Sequence, residues 1–285
     1  MSKKVPPIRM WASLIHYTTT VNQQLRINEA LDKISALPAV FAYAGLHELY
    51  LKSLYRALLV EYVGMAAFVY FHIGIVAAST TYTYPPLVSG IGHAFLLTLF
   101  IYQFASISGA HFNSLITIAS IITGHIPFVR GLMYIMVQIF GSMSGAYIMF
   151  KSIEKGTSES LSLATCQTGP LSTYQALAIE FFFSMGFLFV IYGMAFNLRQ
   201  REIFGPVLPP IFIGITLGLI IFASASLAAS PFTGAGVNPP LCLGTAWAYH
   251  QTNLNGNSKI LDDQWVYWVG AIIASCVNAA IYQTA

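Results

Sequence analysis

Six stretches of this chain are apolar over lengths that water does not let a soluble protein expose. They lie at about 57–79, 87–107, 131–150, 174–196, 207–229 and 265–283. A block of roughly 18 or more apolar residues reads as a membrane-spanning helix, because about 20 helical residues cross a hydrocarbon core of about 30 Å. Composition agrees: 8% of the 285 residues are charged, against about 25% in soluble domains. The expected class is an all-α membrane protein with six transmembrane helices. No continuous apolar core precedes a small-residue cleavage site within residues 1–20, so no cleavable signal peptide is expected.

Basic residues predict the orientation. Lys3, Lys4, Arg9, Arg26, Lys33, Lys52 and Arg56 precede or open the first span, Arg130 follows the second, and Arg199 and Arg201 follow the fourth. These ten of the 13 Lys and Arg fall on one side, leaving Lys151, Lys155 and Lys259 on the other. Both termini are therefore expected to be cytoplasmic, in the plasma membrane or an intracellular one. The net charge of +3 carries no nucleic-acid footprint. Cys276 lies in a span, so the three cysteines imply no disulfide framework. Cys166 and Cys242 both belong to external segments. A bridge between them is open, but spacing alone cannot establish one; the working expectation is a reactive Cys242 thiol.

A repeat organises the chain. Ser108-Gly109-Ala110-His111-Phe112-Asn113 and Thr233-Gly234-Ala235-Gly236-Val237-Asn238 share the pattern [Ser/Thr]-Gly-Ala-x-x-Asn, each after the second span of a set of three. Each set's first span carries one glutamate, Glu61 lying 52 residues before Asn113 and Glu180 58 before Asn238. Three spans per half force the second half to enter from the opposite face. This is an inverted repeat, which places a permeation site between the halves near the midplane. The expected units are a cytoplasmic N-terminal amphipathic segment (1–52), a first repeat (53–150), an external connecting loop (151–172) and a second repeat (173–285).

Each repeated asparagine opens a short apolar stretch, near 113–122 and 238–247. Ten helical residues rise about 15 Å, half of the core. Two re-entrant half-helices are expected, entering from opposite faces with their asparagines meeting near the middle. The preceding stretches must descend as irregular backbone, tolerated only where protein or a water-filled cavity satisfies it.

With Glu61, Ser108 to His111, Gln138, Glu180, Thr233-Gly234, Asn238-Pro239 and Trp265 to Gly270, the chain from about residue 53 onward resembles the aquaporin, or major intrinsic protein, family. Arg199-Gln200-Arg201 through Gly205-Pro206, together with Cys242, is most similar to fungal members. The resemblance implies a passive channel assembled as a homotetramer, with one pore per subunit, no cofactor and no metal.

Half-helix N-termini present unpaired N–H groups and partial positive charge. Two such ends facing one point repel cations, while the Asn113 and Asn238 amides and loop carbonyls form a ladder for neutral solutes. Both asparagines are also expected to cap their helices. The motifs depart from the family's Asn-Pro-Ala, reading Asn113-Ser114-Leu115 and Asn238-Pro239-Pro240. Leu241 stands where relatives usually place arginine. By the family's spacing, His93, Ser226 and Ala235 join it in the constriction, wider and more apolar than a strict water filter. His111 is expected in the inner vestibule.

Intramembrane carboxylates are costly. Glu61 and Glu180 could relay protons, but their symmetric placement favours a structural role, each holding the backbone of a descending loop. Gln138 and Asn278 are expected to do similar duty, and His72 to be a satisfied interior histidine. Leu25, Ile27, Leu31 and Ile34 mark an amphipathic pattern before Pro38, read as a helix on the membrane surface or docked on the channel. His47-Glu48 lacks the second histidine of a zinc-protease motif, and no enzyme constellation is visible. The leading reading is a passive channel for small uncharged solutes such as glycerol or hydrogen peroxide, with or without water. The alternative is a poorly conducting membrane protein that keeps this fold for structure or adhesion.

Overall fold

The computed structural model describes residues 44–153, 162–252 and 259–284. The amphipathic pattern at 25–34 and most of the N-terminal segment lie outside the described residues. A 3-10 turn, Leu46–Tyr50, precedes α1 (Lys52–Ser79), α2 (Pro85–Ser108), α3 (Ser114–Ile122) and α4 (Phe128–Ser152). The second half comprises α5 (Thr173–Ile191) with a π-helical turn (Tyr192–Phe196), α6 (Leu198–Phe204), α7 (Leu208–Ser224), α8 (Pro239–Thr252), α9 (Lys259–Asp262) and α10 (Gln264–Thr284). Among the described residues every regular element is helical.

Among the described residues five helices are long and apolar enough to cross a membrane: α1, α2, α4, α5 with its π turn, and the stretch Ile260–Tyr282. The sixth span, expected over 207–229, is α7, an apolar helix of 17 residues. It rises about 25 Å, and the residues after Ser224 turn away into the second descending loop. The half-helices are α3, of 9 residues, and α8, of 14.

Local sequence sets these boundaries. Pro85 and Pro86 open α2 and Pro209 and Pro210 open α7, positions whose N–H groups have no intrahelical partner. Ser172 and Gln175 form a reciprocal capping box at the start of α5. Gly109 closes α2 in the left-handed region at φ 95°.

The packing repeats when the halves are exchanged. Helix α1 packs on α4 as α5 packs on α10, α4 on α8 as α10 on α3, α1 on α2 as α5 on α7, and α2 meets its counterpart α7. Small residues permit the closest approaches. A Cβ on Gly145 would stand 2.0 Å from the Ala66 carbonyl oxygen, and one on Gly218 2.5 Å from that of Gly90. Gly141 and Gly145 thus form a seam between α1 and α4. Outward-facing Phe95, Leu99, Phe182 and Leu219 are exposed, an apolar exterior suited to lipid.

In the first turn of α4, Arg130 forms an ion pair with Glu48 and donates to the Tyr134 hydroxyl at 3.4 Å. That hydroxyl donates to the Ser108 carbonyl at 2.8 Å. The chain just before α1 is thereby tied to the start of the first descending loop.

Candidate functional site

Both descending loops are held by a buried carboxyl group from the first span of their own half. Glu61 Oε1 accepts from Ser108 Oγ at 2.6 Å and His111 N at 3.0 Å. Its Oε2 accepts from Phe112 N at 2.8 Å and Gln138 Nε2 at 2.9 Å. Glu180 accepts from Gly236 N at 2.7 Å and Val237 N at 3.1 Å. Helix-end hydroxyls complete the match, Ser108 Oγ accepting from Ala110 N and Ser224 Oγ from Ala235 N. These bonds hold Phe112 at φ 43° and Val237 at φ 42°, a region that side-chain-bearing residues, β-branched ones above all, avoid.

The asparagines meet by exchange. Asn113 Nδ2 donates to the Val237 carbonyl at 2.8 Å and Asn238 Nδ2 to the Phe112 carbonyl at 3.0 Å. Each amide spends one N–H and keeps a second. Asn113 also caps α3, its Oδ1 accepting from Leu115 N at 2.9 Å. Asn238 does not match it. The equivalent residue is Pro240, which has no N–H, and Asn238 Oδ1 is buried without a protein partner. Ser114 donates to Gln138 at 3.0 Å. Leu115 is fully buried and lies outside the cavity lining. Pro239 and Pro240 are buried in the first turn of α8. Asn278 is buried with its Nδ2 unpaired.

A cavity of about 210 Å³ runs from the connecting loop to the asparagines. His93, Ala235 and Leu241 line it, as do Asn113, Asn238 and His111. Ser226 does not. Helix α7 ends at Ser224, the chain turns, and Ser226 is exposed while Ala225 takes the wall. The wall also holds His72, which sequence reasoning left as an interior residue. His72 Nδ1 lies 2.7 Å from His93 Nε2, and His72 Nε2 3.0 Å from the Ala164 carbonyl. His93 Nδ1 lies 2.7 Å from the Ser89 carbonyl. His93 therefore has no ring nitrogen left for a solute.

A smaller cavity of about 20 Å³ follows toward the other face, sharing Leu97, His111 and Ile116 with the first and bounded by Phe196. Phe196 belongs to the π turn and stacks within 4.1 Å of the His125 ring, with Tyr192 and Tyr282 beside it. Nothing in the apolar pattern announced that turn.

Cys166 and Cys242 form a disulfide across 76 residues, their Cα atoms 5.0 Å apart. This corrects the expectation of a reactive Cys242, which is fully buried and bridged beside Leu241. The bridge ties the connecting loop to α8, reinforced where Gln167 N donates to Thr233 Oγ1 at 2.9 Å. Cys276 is the free, exposed cysteine. A membrane-permeant maleimide should therefore label Cys276 alone in unreduced protein and reach all three cysteines after reduction in denaturant. Mass spectrometry finding Cys242 labelled without reductant would refute the bridge.

Among the described residues no cluster of His, Cys, Asp or Glu could hold a metal. A family model described as Major intrinsic protein matches residues 48–282. An aquaporin named PIP2-7 from Musa acuminata is 31% identical over 245 residues, covering 83% of each chain. An aquaporin named TIP1-2 from the same plant is 29% identical, covering 69% of this chain and 70% of that one. The aquaglyceroporin structure from Plasmodium falciparum superposes with a TM-score of 0.63 at 19% identity, covering 80% of this chain and 93% of that one.

Proposed function

The chain belongs to the major intrinsic protein family, and from that premise we propose that it is a passive channel for small uncharged solutes, glycerol or hydrogen peroxide among them, with water a lesser passenger. It is a multi-pass integral membrane protein and, as a member of a family of passive channels, not an enzyme. The observation that carries the proposal is a cavity ending at two opposed half-helix N-termini, with no Asp, Glu, Lys or Arg among its described lining residues. The second N–H of each asparagine amide offers a solute a donor. The half-helix ends disfavour cations at the same point.

The outer ring in this reading is His93, Ala225, Ala235 and Leu241. Two small residues leave room, and Leu241 offers a polyol's carbon an apolar wall while gaining nothing from water. The disulfide supports a non-cytoplasmic position for the 151–172 loop, because disulfides persist in oxidising compartments. Together with the basic-residue asymmetry, it supports a cytoplasmic position for both termini. A homotetramer follows the family pattern, and no nucleic acid is a partner.

The second reading, a poorly conducting protein of this fold, is favoured by the narrow 20 Å³ cavity beside Phe196. Stopped-flow swelling of proteoliposomes against water, glycerol and peroxide decides between them. The channel reading expects solute flux well above empty liposomes, and flux equal to empty liposomes for every solute overturns it.

A further inference from the structure

Three contacts run in line across the cavity wall through two imidazole rings. The Ser89 carbonyl faces His93 Nδ1, His93 Nε2 faces His72 Nδ1, and His72 Nε2 faces the Ala164 carbonyl, at 2.7, 2.7 and 3.0 Å. Carbonyl oxygens only accept, so each outer ring nitrogen must carry a hydrogen. The central contact needs one too, since two bare lone pairs at 2.7 Å repel. Three hydrogens are required, and two neutral imidazoles hold two. The Ser89 hydroxyl, 3.4 Å from His93 Nδ1, does not relieve this, because the carbonyl is nearer.

We propose that His72 and His93 take up one additional proton from hydronium in the cavity and share it across their Nε2···Nδ1 contact, giving the pore wall a single positive charge. The O–H bond of hydronium breaks as the N–H bond forms, and a neutral water molecule is left in the cavity. His93 is buried, but His72 is partly open to the cavity, so the charge keeps water on one side. The surroundings neither cancel nor duplicate it. Of the cavity-lining residues only His111 also titrates, since Cys166 is bridged.

Helix α7 has no titratable side chain, and α2 adds only Tyr102. Helix α1 carries Tyr70 nearby and Glu61 three turns away, the latter bound to the first loop. Helix α4 adds Tyr147 and Lys151, with Arg130 paired to Glu48 and Tyr134 bound to Ser108 at its other end. Helix α8 adds Tyr249 and His250, and Glu180 of α5 is bound to the second loop; none of these lines the cavity. The shared proton thus repels cations before they reach the half-helices and anchors Ala164, two residues from the disulfide.

This deepens the channel reading and rests on it for its consequence, though not for its protonation count. The full chain with 15N-labelled histidine, in lipid nanodiscs, should show by NMR three ring N–H hydrogens on the pair at neutral pH. Raising the pH should remove one of them in a single step that shifts both rings. Two neutral rings at neutral pH overturn the inference. Urea and guanidinium are matched in shape and differ in charge, so their flux ratio in proteoliposomes reads the consequence. His72→Asn and His93→Asn should each raise guanidinium flux relative to urea by roughly tenfold or more, as loss of a nearby unit charge implies. An unchanged ratio in variants that elute and melt as the native protein does also overturns it. Should a variant misfold, the count on native protein decides. Native liposomes that pass no urea, glycerol or water defeat the channel reading instead, and the NMR count then judges the shared proton by itself.

Discussion

Replacing Glu61 with glutamine should strongly destabilise the first half of the pore. Its two oxygens accept four hydrogen bonds, from Ser108 Oγ, His111 N, Phe112 N and Gln138 Nε2. Glutamine converts one oxygen into a donor, which then faces two donors. Each buried group so orphaned costs about 1–3 kcal/mol, so about 2–6 kcal/mol is lost against typical stabilities of about 5–15 kcal/mol. Glu180→Gln should do less, because Glu180 accepts one backbone N–H on each oxygen and only one would be orphaned. Melting curves from fluorescence-detected gel filtration in detergent should rank native above Glu180→Gln above Glu61→Gln. Equal melting of all three would show that the carboxyl groups do not hold the loops. Native melting combined with lost flux would return a relay role to consideration.

On the channel reading proposed above, Leu241→Arg should shift permeation from glycerol toward water. Leu241 lines the larger cavity and is buried beside the disulfide. Arginine is longer, carries a permanent charge and brings five donors. It would narrow the passage and replace an apolar wall with one that suits water. Crowding by even one methylene is worth roughly tenfold or more in discrimination, so glycerol flux should fall at least about tenfold while water flux falls less or rises. The measurement is the water-to-glycerol permeability ratio of native and variant protein in liposomes of one composition. A ratio that does not rise would remove Leu241 from the selecting ring.

The scaffold was legible because its signals are polar residues that an apolar chain has no other reason to keep. Glu61, Glu180 and the two asparagines stand alone in long greasy blocks, and their matched spacing gave the inverted repeat. Features that depend on how the chain turns between blocks were not legible. Ser226 was placed by counting back from Asn238, and counting assumes a helix where α7 has already ended. The capping role given to Asn238 failed on its own neighbour, since Pro240 has no N–H to offer. Spacing could not pair Cys166 with Cys242 across 76 residues. His72 and His93 lie 21 residues apart on different helices; one histidine in each of the first two apolar spans was the hint that they face each other.

The exchange of hydrogen bonds between the asparagine loops has a consequence for biogenesis. Asn113 is bonded to a carbonyl 124 residues downstream, and Asn238 to one 126 residues upstream. During synthesis the first repeat enters the bilayer before the second exists. Until then the Phe112 carbonyl and the Asn113 amide lack their partners, at a depth where lipid offers none. The nascent first half must keep that site wet or held by the insertion machinery, and the site closes into its final form only when the second loop arrives from the opposite face.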